Sequence, residues 1–471
     1  MRTFAYAFNC LASWINYSIK GKGSMSILKY SIGALGLAVF QTGMAAGFVD
    51  DSHATLLLRN FYSNADNRDG TAAPNYTQEW GQGFVLNYTS GFTQGTVGVG
   101  VDMIGMLGLR LDSGKGHHYN PTSTASNGNI FPTDSDGRAV EDFANLGPTL
   151  KALVSKTEFR YGTLQPKLPI LMSSDRLVFQ TFNGFQVESR EIDGLTLTGG
   201  RIDHVKERGS TDWEGMSING SNATVDPVNP GLNTTRSTHV NEFWFGGGQY
   251  RVNKDLALQY YYANLQDFYR QHFLGVVYGL NLGPGRLTTD LRYYNNHSDG
   301  ANGHNPDYYS TGYYGNGVTR GKVDSRLSSV LFTYALGNHS FSTGYQQVDG
   351  RSDAVWVNEG AGTTSYFITE TMSGKFQRAG ERSWQVRYAY DFKGVGFPGW
   401  TLKTAYWNGD HIKTATSDQK EWARDITLGY VFTEGPAKGL STAFRLGVFR
   451  TEMQRNTDEY RVIVDYPISL F

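Results

Sequence analysis

A single cysteine, Cys10, occurs in the 471 residues, and no apolar run is long enough to cross a bilayer as a helix. The first scarcity excludes a disulfide framework, a thiolate metal site and a lipid-anchoring cysteine from everything downstream of residue 10. The second, together with a negative mean hydropathy, excludes a helical membrane protein. Charge of one sign is also lacking: 42 Lys and Arg against 43 Asp and Glu leave a formal net charge of -1, so composition favours neither nucleic acid nor an acidic partner. Catalytic signatures are absent as well. The 10 His residues show no metal-ligand spacing on a helix, and the pair His117-His118 reads as part of a solvated loop. No nucleophile-elbow serine is present. No catalytic residue, metal ligand or cofactor is assigned, so the chain is expected not to be an enzyme.

What the chain has in abundance is glycine, at 57 residues, and aromatic side chains, 29 of them tyrosine. This suits many short strands joined by glycine-containing turns. Near the start, Lys29 precedes the apolar run Tyr30-Ser-Ile-Gly-Ala-Leu-Gly-Leu-Ala-Val-Phe40 and the small residues Gly43-Met-Ala-Ala46. Residues 1–46 therefore read as a secretory signal peptide cut near Ala45 or Ala46. Met25 reads as the true start, with a spurious extension before it. Residues 47–471 are expected to form one domain.

Alternation with a period of two marks the strands. Residues 440–450 and 459–470 end the chain with the clearest case: Phe444, Leu446 and Val448 share one face, as do Tyr460, Val462 and Val464, while Arg445, Arg461 and Asp465 occupy the other. Residues 383–392 likewise set Trp384, Val386, Tyr388 and Tyr390 against Gln385, Arg387 and Asp391. Eighteen such strands can be read along the sequence. Links from odd to even strands are mostly long, those from even to odd strands short. Among the long ones are 112–147, 203–241 and 409–423; among the short ones 155–157, 283–285 and 337–339. An apolar face on nearly every strand needs a cover, no amphipathic helix supplies one, and lipid does. The fold predicted is all-β: an 18-stranded antiparallel transmembrane barrel with long external loops and short periplasmic turns.

With aromatic faces turned to lipid, Arg59, Lys151, Arg160, Arg387, Lys403, Arg445 and Arg461 point inward. Several belong to the first strand or the last five, which adjoin on closure and form one basic wall. Such a wall lowers the energy of an anion at successive sites without one deep trap. The alternative is internal pairing with carboxylates such as Glu158, Asp391 or Asp465, and Arg292 with Asp290 has the look of a structural pair. A surface receptor or adhesin, or a barrel hydrolase, remains open as a second use of the architecture.

The residues also resemble a family. Gly47-Phe-Val-Asp-Asp51, Leu56-Leu-Leu-Arg-Asn60, Ser90-Gly-Phe-Thr-Gln-Gly-Thr-Val97, Asp267-Phe-Tyr-Arg-Gln271, Gly380-Glu-Arg-Ser-Trp-Gln-Val-Arg-Tyr388 and Arg461-Val-Ile-Val-Asp-Tyr-Pro467 are similar to stretches, in the same order, of the OprD-type substrate-specific porins, the outer-membrane carboxylate channels. The resemblance implies a monomer or weak homotrimer in the outer membrane of a Gram-negative bacterium, among lipid and lipopolysaccharide, inserted by the barrel-assembly machinery. It implies passive uptake of small carboxylate-bearing solutes such as amino acids, small peptides or aromatic acids, with carbapenem-like antibiotics as passengers. It carries a basic ladder over to Arg59, Arg68, Lys151, Arg387, Arg445 and Arg461, while Lys403 and Arg160 rest on strand parity. A basic neighbour of Arg445 found in a relative is Ala443 here. The constricting loop matches 165–181, which puts Ser173, Ser174 and Arg176 near the eyelet. Asp324 is the candidate acid facing the ladder.

Overall fold

The computed structural model describes residues 46–68, 76–113, 115–118, 130–218, 239–300, 322–357, 366–414, 416–453 and 456–471. Residues 1–45 of the expected signal peptide, with the start at Met25, lie outside the described residues.

Eighteen antiparallel strands follow one another in chain order and close into a barrel. They are β1 His53–Asn67, β2 Tyr76–Thr89, β3 Gly98–Asp112, β4 Asp142–Val154, β5 Thr157–Leu164 and β6 Thr181–Ser189. Next come β7 Leu195–Lys206, β8 Phe243–Arg251, β9 Leu256–Leu265, β10 Tyr269–Leu282, β11 Gly285–Ser298 and β12 Asp324–Leu336. The last third is β13 His339–Gly350, β14 Arg382–Asp391, β15 Trp400–Ile412, β16 Gln419–Val431, β17 Ser441–Thr451 and β18 Thr457–Ser469. Closure is made by β1 against β18, in register from Thr55 opposite Ser469 to Asn67 opposite Thr457. Among the described residues, the closed barrel itself leaves no open edge to recruit another chain.

Most strands turn an apolar row outward. Leu146 and Leu150 on β4 are 63% and 59% exposed, an arrangement stable only if lipid covers them. Alternation fixes register, because a one-residue slip would send the inward charges into the bilayer. Strands β9 and β10, whose link is not among the long ones expected, are joined by residues 266–268 alone. One expected connection differs. The long link expected at 409–423 shrinks to 413–418, since β15 continues to Ile412 and β16 begins at Gln419.

The packed core lies inside the barrel. Inward Phe61 on β1 and Val85 on β2 cluster with Leu177 and Val178 of the loop between β5 and β6. Inward Phe182, Phe243, Phe273 and Tyr294 cluster with Val355 and Phe367 of the loop between β13 and β14. Both loops therefore fold into the lumen and narrow it. Gly83 permits the first approach: a Cβ there would stand 2.7 Å from the carbonyl oxygen of Leu177. His118, expected in solvent, is buried instead. Its Nδ1 lies 2.6 Å from Glu79 and its Nε2 2.8 Å from Thr133 Oγ1.

Candidate functional site: the basic wall and its loops

Cross-strand partners point to the same face, so strand register shows which side chains meet. Arg461 on β18 stands opposite Arg445 on β17, Arg445 opposite Thr427 on β16, and Thr427 opposite Lys403 on β15. Three expected basic residues thus fall on one inward row crossing four strands, at about 4.8 Å per strand. Because barrel strands tilt, a row perpendicular to them also climbs along the pore. Two residues nearer the long loops runs a second row: Arg387, Ala405, Asp425, Gly447 and Glu459.

The charges on this wall are neutralised to different degrees. Arg461 is buried, with Nε 2.5 Å from Glu459 Oε1 and Nη2 donating to the carbonyl of Met372 at 3.2 Å. Arg59 is held by a fork: Nε and Nη2 reach the two oxygens of Asp465 at 2.8 and 2.9 Å, a bidentate pair. Its Nη1 donates to Asp175 Oδ2 and to the carbonyl of Arg176, each at 2.8 Å. Arg387 donates to Gln385 Oε1 at 2.6 Å and to the carbonyl of Ile368. Among the described residues, neither Arg445 nor Lys403 has a carboxylate within 4 Å.

The loop between β13 and β14 runs along this wall as a strap. Its carbonyls at Tyr366, Ile368 and Met372 accept from Arg292, Arg387 and Arg461. Its Met372 N–H donates to Asp425 at 2.9 Å, and Ser373 donates to Glu459 at 3.0 Å. Arg292 also forks onto Asp290 at 2.9 and 2.6 Å. Backbone dipoles therefore satisfy three guanidiniums without adding negative charge to the lumen.

The loop between β5 and β6 presents Asp175, whose side chain is 56% exposed, directly beside the partly buried Arg59. Next to it Arg176 lies 3.4 Å from Glu459. Burial, with Arg461 and Arg208 close by, holds the Arg176 guanidinium well below its ordinary pKa. Ser174 is buried: its hydroxyl donates to Gln180 and accepts from Arg208, each at 3.2 Å. Ser173 Oγ is buried without a hydrogen-bond partner among the described residues.

Other expected residues lie elsewhere. Lys151 on β4 and Arg160 on β5 are direct partners of each other, away from the β14–β18 wall. Lys151 is buried against Asp102 at 2.7 Å and the Ser90 carbonyl at 2.7 Å, under the ring of Phe92. Arg160 is 2.5 Å from Glu158. Arg68 follows the last residue of β1, between Asp66 at 3.2 Å and Asp458 at 3.4 Å. Asp324, at the start of β12, pairs with Arg351 at 3.0 Å rather than facing the row. Asp391 caps the short helical turn after β14 by accepting from the Lys393 N–H. The sequence reading passed over Asp175 and Glu459. Parity alone would have found Glu459, which is two residues from inward Arg461. Asp175 needed the loop conformation.

Comparison with known proteins places this geometry in a family. Residues 46–470 match the outer membrane porin family OprD. The porin-like protein GalP of Pseudomonas putida is 34% identical over 442 residues, covering 93% of this chain and 97% of GalP. A crystal structure of Pseudomonas aeruginosa OccK8 (OprE) is 50% identical with a TM-score of 0.81, covering 90% of this chain and 100% of that one. The crystal structure of Pseudomonas aeruginosa OpdK with vanillate is 34% identical, with a TM-score of 0.75 and the same coverage. The closed 18-stranded antiparallel barrel thus matches the fold of solved relatives. The chain belongs to the OprD family of outer membrane porins.

Proposed function

We propose that this porin passes small solutes bearing a carboxylate, by passive diffusion along its basic wall, and catalyses no reaction. The observation that carries the reading is Arg445: an inward guanidinium with no carboxylate within 4 Å among the described residues, in one row with Arg461 and Lys403. An arginine fork fits a carboxylate through two parallel hydrogen bonds. Lys403, one further step along the row, offers a second weak contact, and several weak contacts favour transit over trapping. Arg59 and Arg461 contribute field while held in place by Asp465 and Glu459, and Arg68 sits at the mouth. Vanillate, the molecule in the OpdK structure, is an aromatic carboxylate, which supports this solute class. Amino acids, small peptides, aromatic acids and carbapenem-like antibiotics all fall within it.

The same proposal includes export by residues 1–46, insertion by the barrel-assembly machinery, and a monomer or weak homotrimer among outer-membrane lipid and lipopolysaccharide. Liposome swelling with a panel of amino acids, dipeptides and aromatic acids, each paired with its amide, tests the solute class. Faster entry of each carboxylate than of its amide is expected, and equal rates would overturn it.

A further inference from the structure

The outer surface carries a charge that the pore does not use. Trp384 on β14 exposes 45% of its surface outward, and strand register extends its row through Asn408 and Trp422 to Arg450. Two residues further from the long loops, the next outward row is Val386, Tyr406, Arg424, Val448 and Asp458. Arg424 is exposed on this lipid-facing side, and no described carboxylate lies within 4 Å of it. Asp458, two strands away, is already held by Arg450 at 2.7 Å and Arg68 at 3.4 Å.

Aromatic rings lie beside Arg424 and one row nearer the long loops. Tyr406 stacks on Trp422 with centroids 5.9 Å apart and lies tilted against Trp384 at 5.4 Å, and Arg450 lies over Trp422 at 5.9 Å. At the opposite end of the same strands, Trp400 and Tyr430 pair at 4.8 Å and mark the other interface. From Tyr430 to Arg424 is six residues along β16. With about 3.3 Å per residue and a tilt near 40°, Arg424 stands about 15 Å above that interface, inside an apolar band about 25 Å tall. It is nearer the long-loop side. An arginine side chain is long enough to rise past Trp422, two residues higher, and snorkel to the headgroups.

A guanidinium facing lipid without a counter-ion is destabilising, so its charge must be met by the membrane. We infer that Arg424, framed by Tyr406 and Trp422, is a binding site for the phosphate of an outer-leaflet lipid, with lipid A of lipopolysaccharide as the occupant. The guanidinium takes the phosphate oxygens through its fork. The aromatic rings and the outward aliphatic residues Ile426 and Leu428 below it take the acyl chains.

The test uses the whole barrel in detergent micelles, with lipid A, a dephosphorylated lipid A, and inorganic phosphate as probes, and native mass spectrometry or fluorescence anisotropy as readout. Wild type and Arg424→Lys should bind lipid A alike, and Arg424→Gln should bind it about fivefold more weakly, the effect of one cation near a charged membrane surface. Channel conductance should not change, since Arg424 is outside the pore. Equal binding by Arg424→Gln would overturn the site, as would wild-type binding of dephosphorylated lipid A as tightly as the phosphorylated form. Displacement of lipid A by inorganic phosphate at low millimolar concentration would also overturn it, by showing that a free anion suffices.

Discussion

Arg445 and Arg461 face each other across the last strand pair, yet among the described residues only Arg461 is matched by a carboxylate, Glu459 at 2.5 Å. Two like charges in direct cross-strand register work against the barrel. Glu459 and the Met372 carbonyl of the loop strap relieve one of them and leave the other without a carboxylate among the described residues. Under the proposed function, this asymmetry separates residues that hold the pore together from residues that meet the solute.

Substituting each arginine should divide the two roles. Arg445→Ala should leave heat unfolding within about 0.5 kcal/mol of wild type while weakening carboxylate binding roughly tenfold, the worth of one charged hydrogen-bonded contact. Arg461→Ala should cost roughly 2 to 3 kcal/mol, because buried Glu459 loses its nearest cation. Calorimetry and carboxylate block of ion current read the two effects. Equal destabilisation by both substitutions would mean that the whole row is packing.

Asp175 is the exposed acid of the constriction, and it borders Arg59. Asp175→Asn should shift the reversal potential in a salt gradient toward greater anion selectivity, since a negative charge leaves the lumen beside a basic wall. Unfolding should change by less than about 1 kcal/mol, given that Asp175 is exposed and Arg59 keeps Asp465. An unchanged reversal potential would place Asp175 outside the ion path.

The strap between β13 and β14 is held at its base by a buried acid outside the spanning strands. Burial and the neighbouring carboxylate of Glu421 push Glu381 well above the usual carboxylate range, while its Oε2 accepts from the Arg378 N–H at 2.9 Å. The folded chain keeps this proton at pH values where the unfolded chain has lost it. Stability from the group is therefore complete below about pH 4 and declines as pH rises toward the raised value. Glu381→Gln, which keeps the acceptor, should flatten that decline when unfolding midpoints are followed from acid to alkaline pH. A variant whose midpoints run parallel to wild type would contradict it.

The outward faces, the inward parity of seven basic residues and the count of strands were legible because a period of two encodes them directly. Which cation meets which anion was not, since register depends on turn lengths that boundaries a few residues wide do not fix. Lys403, Arg445 and Arg461 shared a face on parity, but only register put them in one row. Asp324 was an expected acid of the eyelet because it rejoins a strand from a long link; in the structure Arg351 takes it. Asp175 plays the nearer part, in a loop whose conformation is set by Leu177 and Val178 packing into the barrel. The strap was invisible for another reason. Its contacts with Arg292, Arg387 and Arg461 are made by backbone carbonyls, which every residue carries and no side-chain pattern reveals. His118 shows the converse: a histidine in a glycine-rich loop became buried because Glu79 and Thr133 close around both ring nitrogens.

Replacing 366–374 by a short Gly-Ser linker should raise single-channel conductance and lower discrimination between carboxylates and their amides, since the strap both narrows the lumen and covers three arginines. Conductance at or below the wild-type value would show that the strap is not the constriction.

The most direct measurement is single-channel current through the purified protein in a planar bilayer, titrated with an aromatic carboxylate and separately with its amide. The expected result is a conducting channel whose current the carboxylate interrupts and the amide does not, with the interruption largely lost in Arg445→Ala. A stably inserted protein that conducts nothing, or that responds alike to carboxylate and amide, would contradict a carboxylate channel built on Arg445.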